Sequence, residues 1–197
     1  MYKLGITGGM GSGKSTAADY FLQKGAIIFN ADEEAKQYLL SQTELQNHII
    51  DIFGNQVTSG NRLNLLKLSK HVFSNKHHQI TLNQIIWPEV KNLIISAAEK
   101  AEIDGNDLFA VDAALLIEAG YTDFFHAILL ITAEKSIRIN RIKLRKDIPD
   151  SQIKQRMELQ MPESDKQKHA DTIIKNNGSL YELHMQLKQF WEKININ

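Results

Sequence analysis

The sequence predicts an α/β fold in which a parallel sheet is covered by helices on both faces. Two observations support this class: short apolar stretches alternate with helical patterns, and a glycine-rich loop joins the first such stretch to the first helix. A third observation is a series of helical patterns from 33 to about 102, too long for a simple crossover. It predicts a helical subdomain inserted into a single domain of 197 residues.

Five stretches have the composition of buried strands. They are YKLGIT (2–7), AIIFNAD (26–32), LFAVD (108–112), HAILLIT (126–132) and DTIIK (171–175). We expect the second to end at Asp32 and the third near Asp112. Because the carboxyl ends of parallel strands lie at one edge of a sheet, both carboxylates should lie near the loop that follows the first strand.

The intervening stretches have helical periodicity. They are 14–25, with Gly25 as the predicted C-cap, 33–41, 44–53, 64–73, 88–102, 133–147, two shorter pieces on either side of Pro162, and 180–194. The long helix is expected to follow Pro88, and the arginine-rich helix to end near Pro149. Gly54, Ser59 and Gly60 interrupt the helical region.

The composition excludes several classes of function. Lys plus Arg and Asp plus Glu both total 23, so no net basic field indicates nucleic acid or an anionic membrane as a partner. No cysteine is present, which removes disulfides and thiolate chemistry. The apolar runs are too short to span a membrane, and a glycine loop stands where a targeting leader would begin, so we expect a cytoplasmic location.

The loop GITGGMGSGKST (5–16) contains the pattern G-x-x-x-x-G-K-[ST] between a predicted strand and a predicted helix. Glycines let backbone N–H groups turn towards phosphate oxygens, and the helix N-terminus adds partial positive charge. Lys14 is expected to reach the β- and γ-phosphates, Ser15 to bind Mg²⁺, and Thr16 to touch the α-phosphate. The alternative is a glycine-rich turn with a chance lysine.

A GTPase interpretation is disfavoured. The D-x-x-G match DIFG at 51–54 lies inside a helical pattern. The stretch SNKHH has His78 where an N-K-x-D base reader needs aspartate.

Two carboxylates and a group of arginines are candidates for catalysis. Asp32 can orient an attacking hydroxyl or cap the next helix, and Asp112 can hold a metal directly or through water, or be an ordinary strand-end residue. Arg138, Arg141 and Arg145 can share one helix face, and Arg156 follows on the next segment. They form either a solvated charged surface or a lid that closes over phosphates.

The chain resembles the dephospho-coenzyme A kinases, which phosphorylate the 3′-hydroxyl of dephospho-CoA. The resemblance covers nearly the whole chain and depends on the order of six segments: GITGGMGSGKST, NADEEAKQ, AALLIEAG, RIKLRKD, RMELQM and ADTIIKNNGS. It implies a P-loop kinase-like fold, with 33–104 as the acceptor-binding insertion and 134–165 as the lid. It also implies ATP and Mg²⁺, a small-molecule acceptor, no nucleic acid or membrane partner, and a monomer or weak homo-oligomer.

The resemblance assigns roles to individual residues. ATP is expected at Gly11, Ser12, Gly13, Lys14, Ser15, Thr16 and Asn177, the last near the adenine unless it is a plain turn residue. Asp32 is the expected base, acting with Lys14, Arg141 and Arg145. Dephospho-CoA is expected at Thr7, Asp32, Leu115 and Glu118, and Mg²⁺ at Ser15 and Asp112.

This chain departs from the family pattern at two positions on the acceptor side. Trp87 stands where the family usually has histidine, and Ala114 where it usually has proline. Trp87 can stack on the acceptor's adenine or belong to the core. Other small-molecule kinases, of nucleosides, gluconate or shikimate, and an ATP-binding regulatory protein remain alternatives.

Overall fold

A computed structural model describes residues 1–145 and 149–194 and confirms the α/β class. Its strands are β1 (Tyr2–Thr7), β2 (Ile27–Asn30), β3 (Thr58–Ser59), β4 (Arg62–Leu63), β5 (Leu108–Asp112), β6 (Ala127–Thr132) and β7 (Thr172–Lys175). A parallel five-stranded sheet has the order β2-β5-β1-β6-β7, and β3 and β4 form a small antiparallel hairpin. All five predicted strands are therefore present in one sheet.

The helices are α1 (Lys14–Leu22), α2 (Ala31–Ser41), α3 (Thr43–Phe53), α4 (Leu65–Phe73), α5 (Lys76–Ile103), α6 (Lys135–Arg145), α7 (Asp150–Glu158), α8 (Glu163–Lys166) and α9 (Leu180–Lys193). Short 3₁₀ turns lie at Asn55–Val57, Thr122–Phe124 and Gln167–His169. The end predicted for the arginine-rich helix, 146–147, lies outside the described residues. Among the described helices, none is both long and apolar enough to cross a membrane.

The two faces of the sheet have separate apolar cores. Leu108 and Ala110 of β5 belong to a cluster with α1 and α9, whereas Phe109 and Val111 belong to a cluster with α5. This alternation follows from the two-residue period of a strand. Since both faces are covered, β5 and β6 are buried along their whole length.

The region between β2 and β5 has a small apolar core of its own. It is formed by Leu39, Ile49, Phe53, Val57, Leu68 and Val72, from α2, α3, α4 and the turn between α3 and β3. The helical pattern predicted there is correct, but the sequence did not predict the β3–β4 hairpin. Its turn includes Gly60, whose φ of +60° favours glycine.

Two predicted element boundaries are wrong. Strand β2 ends at Asn30 rather than Asp32, because the Asn30 side chain accepts a hydrogen bond from the Glu33 amide (3.1 Å) and begins α2. Helix α5 begins at Lys76, and Pro88 lies inside it. An interior proline costs about 3 kcal/mol, but Val90, Ile94 and Ala98 pack along one face of this helix and outweigh that cost.

Helix α1 ends at Leu22 with Gln23 as its C-cap, two residues before the predicted cap Gly25, which lies in the turn that follows. The Gly25 amide donates to the Leu22 carbonyl and the Ala26 amide to the Phe21 carbonyl, both at 3.0 Å. Gly25 has a φ of +88°. These are the two hydrogen bonds of a Schellman motif, and they turn the chain from α1 into β2.

Candidate active site

A cavity of about 550 Å³ opens at the carboxyl edge of the sheet. Its lining includes seven predicted site residues: Gly11, Lys14, Ser15, Asp32, Leu115, Arg141 and Arg145. Met10, Phe73, Gln79, Ala114, Ile142, Arg156 and Gln160 complete it. The structure thus brings the predicted phosphate loop, carboxylate and lid arginines to one place.

The phosphate loop is shaped by close backbone approaches that only glycine permits. Gly8, Gly11 and Gly13 have φ values of +151°, +80° and +105°. A Cβ atom at Gly8 would collide with the Ile131 carbonyl oxygen, and one at Gly13 with the Asn176 amide. The alternative of a chance glycine-rich turn does not account for this packing.

The loop has the features that phosphate binding requires. Helix α1 begins at Lys14, and no side chain of the described residues caps it. The first backbone amides of the helix are therefore available to a ligand in the cavity. The hydroxyl groups of Thr7 and Ser12 are buried and have no hydrogen-bond partner in the part of the chain that the structure describes. The donors present therefore fit an anionic phosphate ligand.

Asp112 is a buried carboxylate at the end of β5, beside the loop. Burial raises its pKa, and the neighbouring Asp32 charge acts in the same direction. Lys14 and a hydrogen bond with Ser15 act in the opposite direction. These effects show that Lys14, Ser15, Asp32 and Asp112 form one electrostatic group.

This group fits Mg²⁺ only in combination with phosphate oxygens. No cluster of three metal-ligating side chains occurs within residues 1–145 and 149–194. Mg²⁺ commonly takes one or two protein ligands together with substrate phosphates and water. The Ser15 hydroxyl and the Asp112 carboxylate are the residues here that match such a site.

Asp32 lies in the first turn of α2 and lines the cavity. Because Asn30 occupies the N-cap position, the alternative role of Asp32 as the helix cap is wrong. Asn30 therefore caps α2, and the position of Asp32 in the first turn of this helix does not depend on its own side chain. Its carboxylate borders the same cavity as Lys14.

The predicted arginine face of α6 divides into two parts. Arg138 forms an ion pair with Glu163 at 2.9 Å, whereas Arg141 and Arg145 line the cavity. Burial, followed by the charge of Arg145, lowers the pKa of Arg141. Arg141 is partly buried and Arg145 is exposed, and both border the cavity, where an anionic ligand would relieve their repulsion.

Asn176 is a residue that the sequence reasoning missed. Its side-chain amide donates a hydrogen bond to the Ser12 backbone carbonyl (2.8 Å), and its backbone carbonyl accepts one from the Arg141 guanidinium (2.9 Å). Asn177 instead exchanges hydrogen bonds with Glu134 and does not line the cavity. The segment ADTIIKNNGS, on which the resemblance depends, has adjacent asparagines at 176 and 177, and the role was assigned to the second of them.

The remaining predicted site residues lie beside the cavity rather than in its lining. They are Thr7, Ser12, Gly13, Thr16, Asp112, Glu118 and Asn177. Glu118 forms an ion pair with the buried Lys166 at 2.9 Å. Its contact with a substrate, like those of Thr7 and Leu115, remains a prediction.

Trp87 contacts the core. It packs against the cluster that contains Phe109 and Val111, and its carbonyl accepts a hydrogen bond from the Tyr121 hydroxyl. Trp87 is partly buried and packs against the core, as the core interpretation predicts, and its contact with an acceptor remains a prediction. Burial raises the pKa of Tyr121 to about 12, so this hydroxyl stays protonated at physiological pH.

A phosphate loop after the central strand, with a carboxylate on the neighbouring strand, defines the class of P-loop nucleotide-binding proteins. Comparison with known proteins narrows the class, because the family model "Dephospho-CoA kinase" matches residues 2–182. The chain belongs to the dephospho-CoA kinase family and is a kinase.

Individual relatives agree with this assignment. The chain is 33% identical to a dephospho-CoA kinase of Fusobacterium nucleatum, with 97% of each chain covered. It is 31% identical to one of Salinibacter ruber, covering 97% of this chain and 96% of the relative.

Solved structures share the fold. A crystal structure from Thermus thermophilus matches with a TM-score of 0.82 at 28% identity, over 98% of both chains. A dephospho-CoA kinase from Campylobacter jejuni matches with a TM-score of 0.68 at 23% identity, over 98% of this chain and 96% of that one. A shikimate kinase from Bacteroides thetaiotaomicron is similar in fold alone. It matches with a TM-score of 0.59 at 9% identity, over 98% of both chains.

Proposed function

We propose that the protein transfers the γ-phosphoryl group of ATP to the ribose 3′-hydroxyl of dephospho-CoA, giving CoA and ADP, in the last step of coenzyme A synthesis. The observation that carries this proposal is the shared cavity of Lys14, Asp32, Arg141 and Arg145. It places a phosphate-binding loop, a carboxylate and two cations around one space.

Each group has a distinct role in the proposed transfer. The loop amides and Lys14 hold the phosphates, and Asp32 orients the attacking hydroxyl and accepts its proton. Arg141 and Arg145 neutralise charge that spreads over the equatorial oxygens. Mg²⁺, held by Ser15 and Asp112, would supply further charge neutralisation and help to align the phosphates.

The lid is proposed to exclude water, which competes with the acceptor as a nucleophile. Arg156 on α7 lies over the ring of Phe73 on α4, with 4.7 Å between the guanidinium carbon and the ring centroid. Both residues line the cavity, so the lid region already reaches the helical insertion. The insertion, 33–104, is accordingly proposed as the acceptor side.

A coupled assay for ADP over a panel of acceptors tests this function. The panel contains dephospho-CoA, adenosine, gluconate, shikimate and a reaction without acceptor. We expect ADP release that depends on dephospho-CoA and that is abolished in Lys14→Met. Faster release with another acceptor would assign a different kinase activity, and acceptor-independent binding of ATP without turnover would favour a regulatory protein.

We further propose a cytoplasmic enzyme that is a monomer or weak homo-oligomer, without nucleic acid or membrane partners. Size-exclusion chromatography with light scattering at several protein concentrations tests the oligomeric state. A stable oligomer at nanomolar concentration would contradict it.

A further inference from the structure

The segment between α7 and the end of α8, residues 160–166, contacts both sides of the candidate active site. We call it the bracing segment. On one side it bonds to the phosphate loop, and on the other it bonds to the chain that leaves β5 and lines the cavity.

The contacts with the phosphate loop come from the first half of this segment. Gln160 accepts a hydrogen bond from the Met10 amide at 3.0 Å. Glu163 holds the Arg138 guanidinium at 2.9 Å, and this guanidinium fills the space where a Gly9 side chain would be. The Arg138 carbonyl oxygen lies 2.6 Å from the position of a Cβ at Gly11. The bracing segment thus supports the loop directly and through Arg138.

The contacts on the other side come from Lys166. Its side chain is 1% exposed, and its ammonium group donates hydrogen bonds to the Ala114 carbonyl at 2.7 Å and to Glu118 Oε2 at 3.2 Å, with Glu118 Oε1 at 2.9 Å. Glu118 also accepts from the Met161 amide at 3.0 Å. Ala114 and the adjoining Leu115 line the cavity, so Lys166 holds the backbone of a wall of the candidate site.

Keeping a charged lysine in this position is costly. Burial lowers the pKa of Lys166, and Glu118 only partly opposes that effect. A buried ion pair of this kind often contributes little net stability, because desolvation offsets the attraction. Its geometric effect is larger, since the ammonium group restrains a backbone carbonyl and a carboxylate at the same time.

The residue at 114 makes such a restraint important. Position 114 is alanine, which does not restrict the backbone as a proline ring does. The Ala114 carbonyl bond to Lys166 supplies a restraint at that position. Without it, the Ala114 carbonyl loses its bond to the bracing segment, which then contacts this part of the chain through the Met161–Glu118 bond.

We propose that Lys166 is a positioning residue for the phosphoryl acceptor. In this proposal the bracing segment fixes the position of the cavity wall at Ala114 and Leu115 relative to the phosphate loop. The inference rests on the proposed function only in naming dephospho-CoA as the acceptor. Lys166 and Glu163 occupy the two ends of α8, so the two ends can be tested separately.

Steady-state kinetics of Lys166→Met and Glu163→Gln test the proposal. Loss of the Lys166 bonds should raise the KM for dephospho-CoA about tenfold or more, with the KM for ATP changed less than about twofold. Glu163→Gln weakens the Arg138 contact on the side of the phosphate loop. It should raise the KM for ATP and change the KM for dephospho-CoA little. Lys168→Met is the matched control, because Lys168 is an exposed lysine that pairs with Asp165 on the surface.

The double variant Lys166→Met/Glu118→Gln guards against misfolding, since it leaves no unpaired buried carboxylate. It should fold and retain the selective rise in acceptor KM. Equal changes in both KM values, or wild-type kinetics with only a lower melting temperature, would overturn the proposal. Loss of folding in both Lys166 variants would show a purely structural role and would also overturn it.

The same experiment separates this inference from the proposed function. If the wild type releases ADP with an acceptor other than dephospho-CoA, the proposed function fails. The KM comparison is then made with that acceptor, and a selective change in Lys166→Met still supports the positioning role.

Discussion

The side chain of Asn176 donates a hydrogen bond to the backbone carbonyl of Ser12 at 2.8 Å, although the two residues lie 164 positions apart. The same asparagine accepts two hydrogen bonds from Arg141, one at its backbone carbonyl and one at its side chain. A single buried residue after β7 therefore connects the phosphate loop with Arg141 of α6. This connection explains why the end of the sheet contributes to a site formed mainly by β1, β2 and β5.

Replacement of Asn176 by alanine should reduce both stability and ATP binding. It leaves the Ser12 carbonyl without its partner and removes the side-chain half of the Arg141 contact, at a cost of about 1–3 kcal/mol in the free energy of unfolding. Denaturant unfolding and the KM for ATP measure the two effects. Asn177→Ala is the matched control, and an equal loss of ATP affinity in both variants would contradict the role assigned to Asn176.

Asp32→Asn should lower kcat by about a hundredfold or more, which is within the range of general-base effects. The amide has the size of the carboxylate but cannot accept the hydroxyl proton. The KM for ATP should change little, because the proposed phosphate contacts are those of the loop and Lys14 and not of Asp32. Turnover near that of the wild type would remove Asp32 from the mechanism.

Asp112→Asn should weaken the dependence of activity on Mg²⁺. The substitution removes the negative charge but leaves a group that can still bond to Ser15, so the Mg²⁺ concentration for half-maximal activity should rise about 10–100-fold. Because burial raises the pKa of Asp112 above its ordinary 3.8, acidification should weaken Mg²⁺ activation at a higher pH than for an exposed aspartate. A Mg²⁺ titration unaffected by the substitution would argue against this ligand.

Gly13→Ala should destabilise the phosphate loop, because the new Cβ meets the Asn176 amide in a backbone with φ of +105°. Gly105→Ala is the matched control, since Gly105 has a φ of +78° but open space around it. The free energy of unfolding of the control should fall by about 1–2 kcal/mol from backbone strain alone. Gly13→Ala should lower the free energy of unfolding by more than the control does, and it should also raise the KM for ATP. An equal loss of stability in the two variants would show that backbone strain, and not packing, selects glycine at position 13.

His71 should make the stability dependent on pH. Its ring stacks on that of His78 with centroids 4.2 Å apart, and burial, followed by the charge of His78, lowers the pKa of His71 below the ordinary 6.5. The unfolded chain therefore binds a proton more readily than the folded one. The free energy of unfolding should be highest above pH 6.5 and fall as the pH drops through 6.5 towards the lower folded-state pKa.

Denaturant unfolding between about pH 7.5 and pH 5 measures this dependence. His71→Phe keeps an aromatic ring beside His78 and should flatten the curve, whereas His77→Phe alters an exposed neighbour and should not. An unchanged slope in His71→Phe would show that other groups cause the dependence.

Much of the candidate site could be predicted from the sequence because local rules determine it. The glycine loop, Lys14 and Ser15 are contiguous, and their function depends on a strand and a helix that the apolar pattern also predicts. Asp32 could be placed at the correct sheet edge even though its strand ends two residues earlier. Its exclusion from capping could not be predicted, since Asn30 and Asp32 are both good N-cap residues.

The sequence by itself determined the α/β class, the phosphate loop and the resemblance that led to the kinase family, because each depends on short-range patterns or on the order of segments. Only the tertiary structure decided that Glu163 supports the loop through Arg138, and that Lys166 holds the wall of the cavity at Ala114. These pairs join segments far apart in the chain. Their partners are selected by burial and by the shape of the packed sheet edge, which no local pattern of residues records.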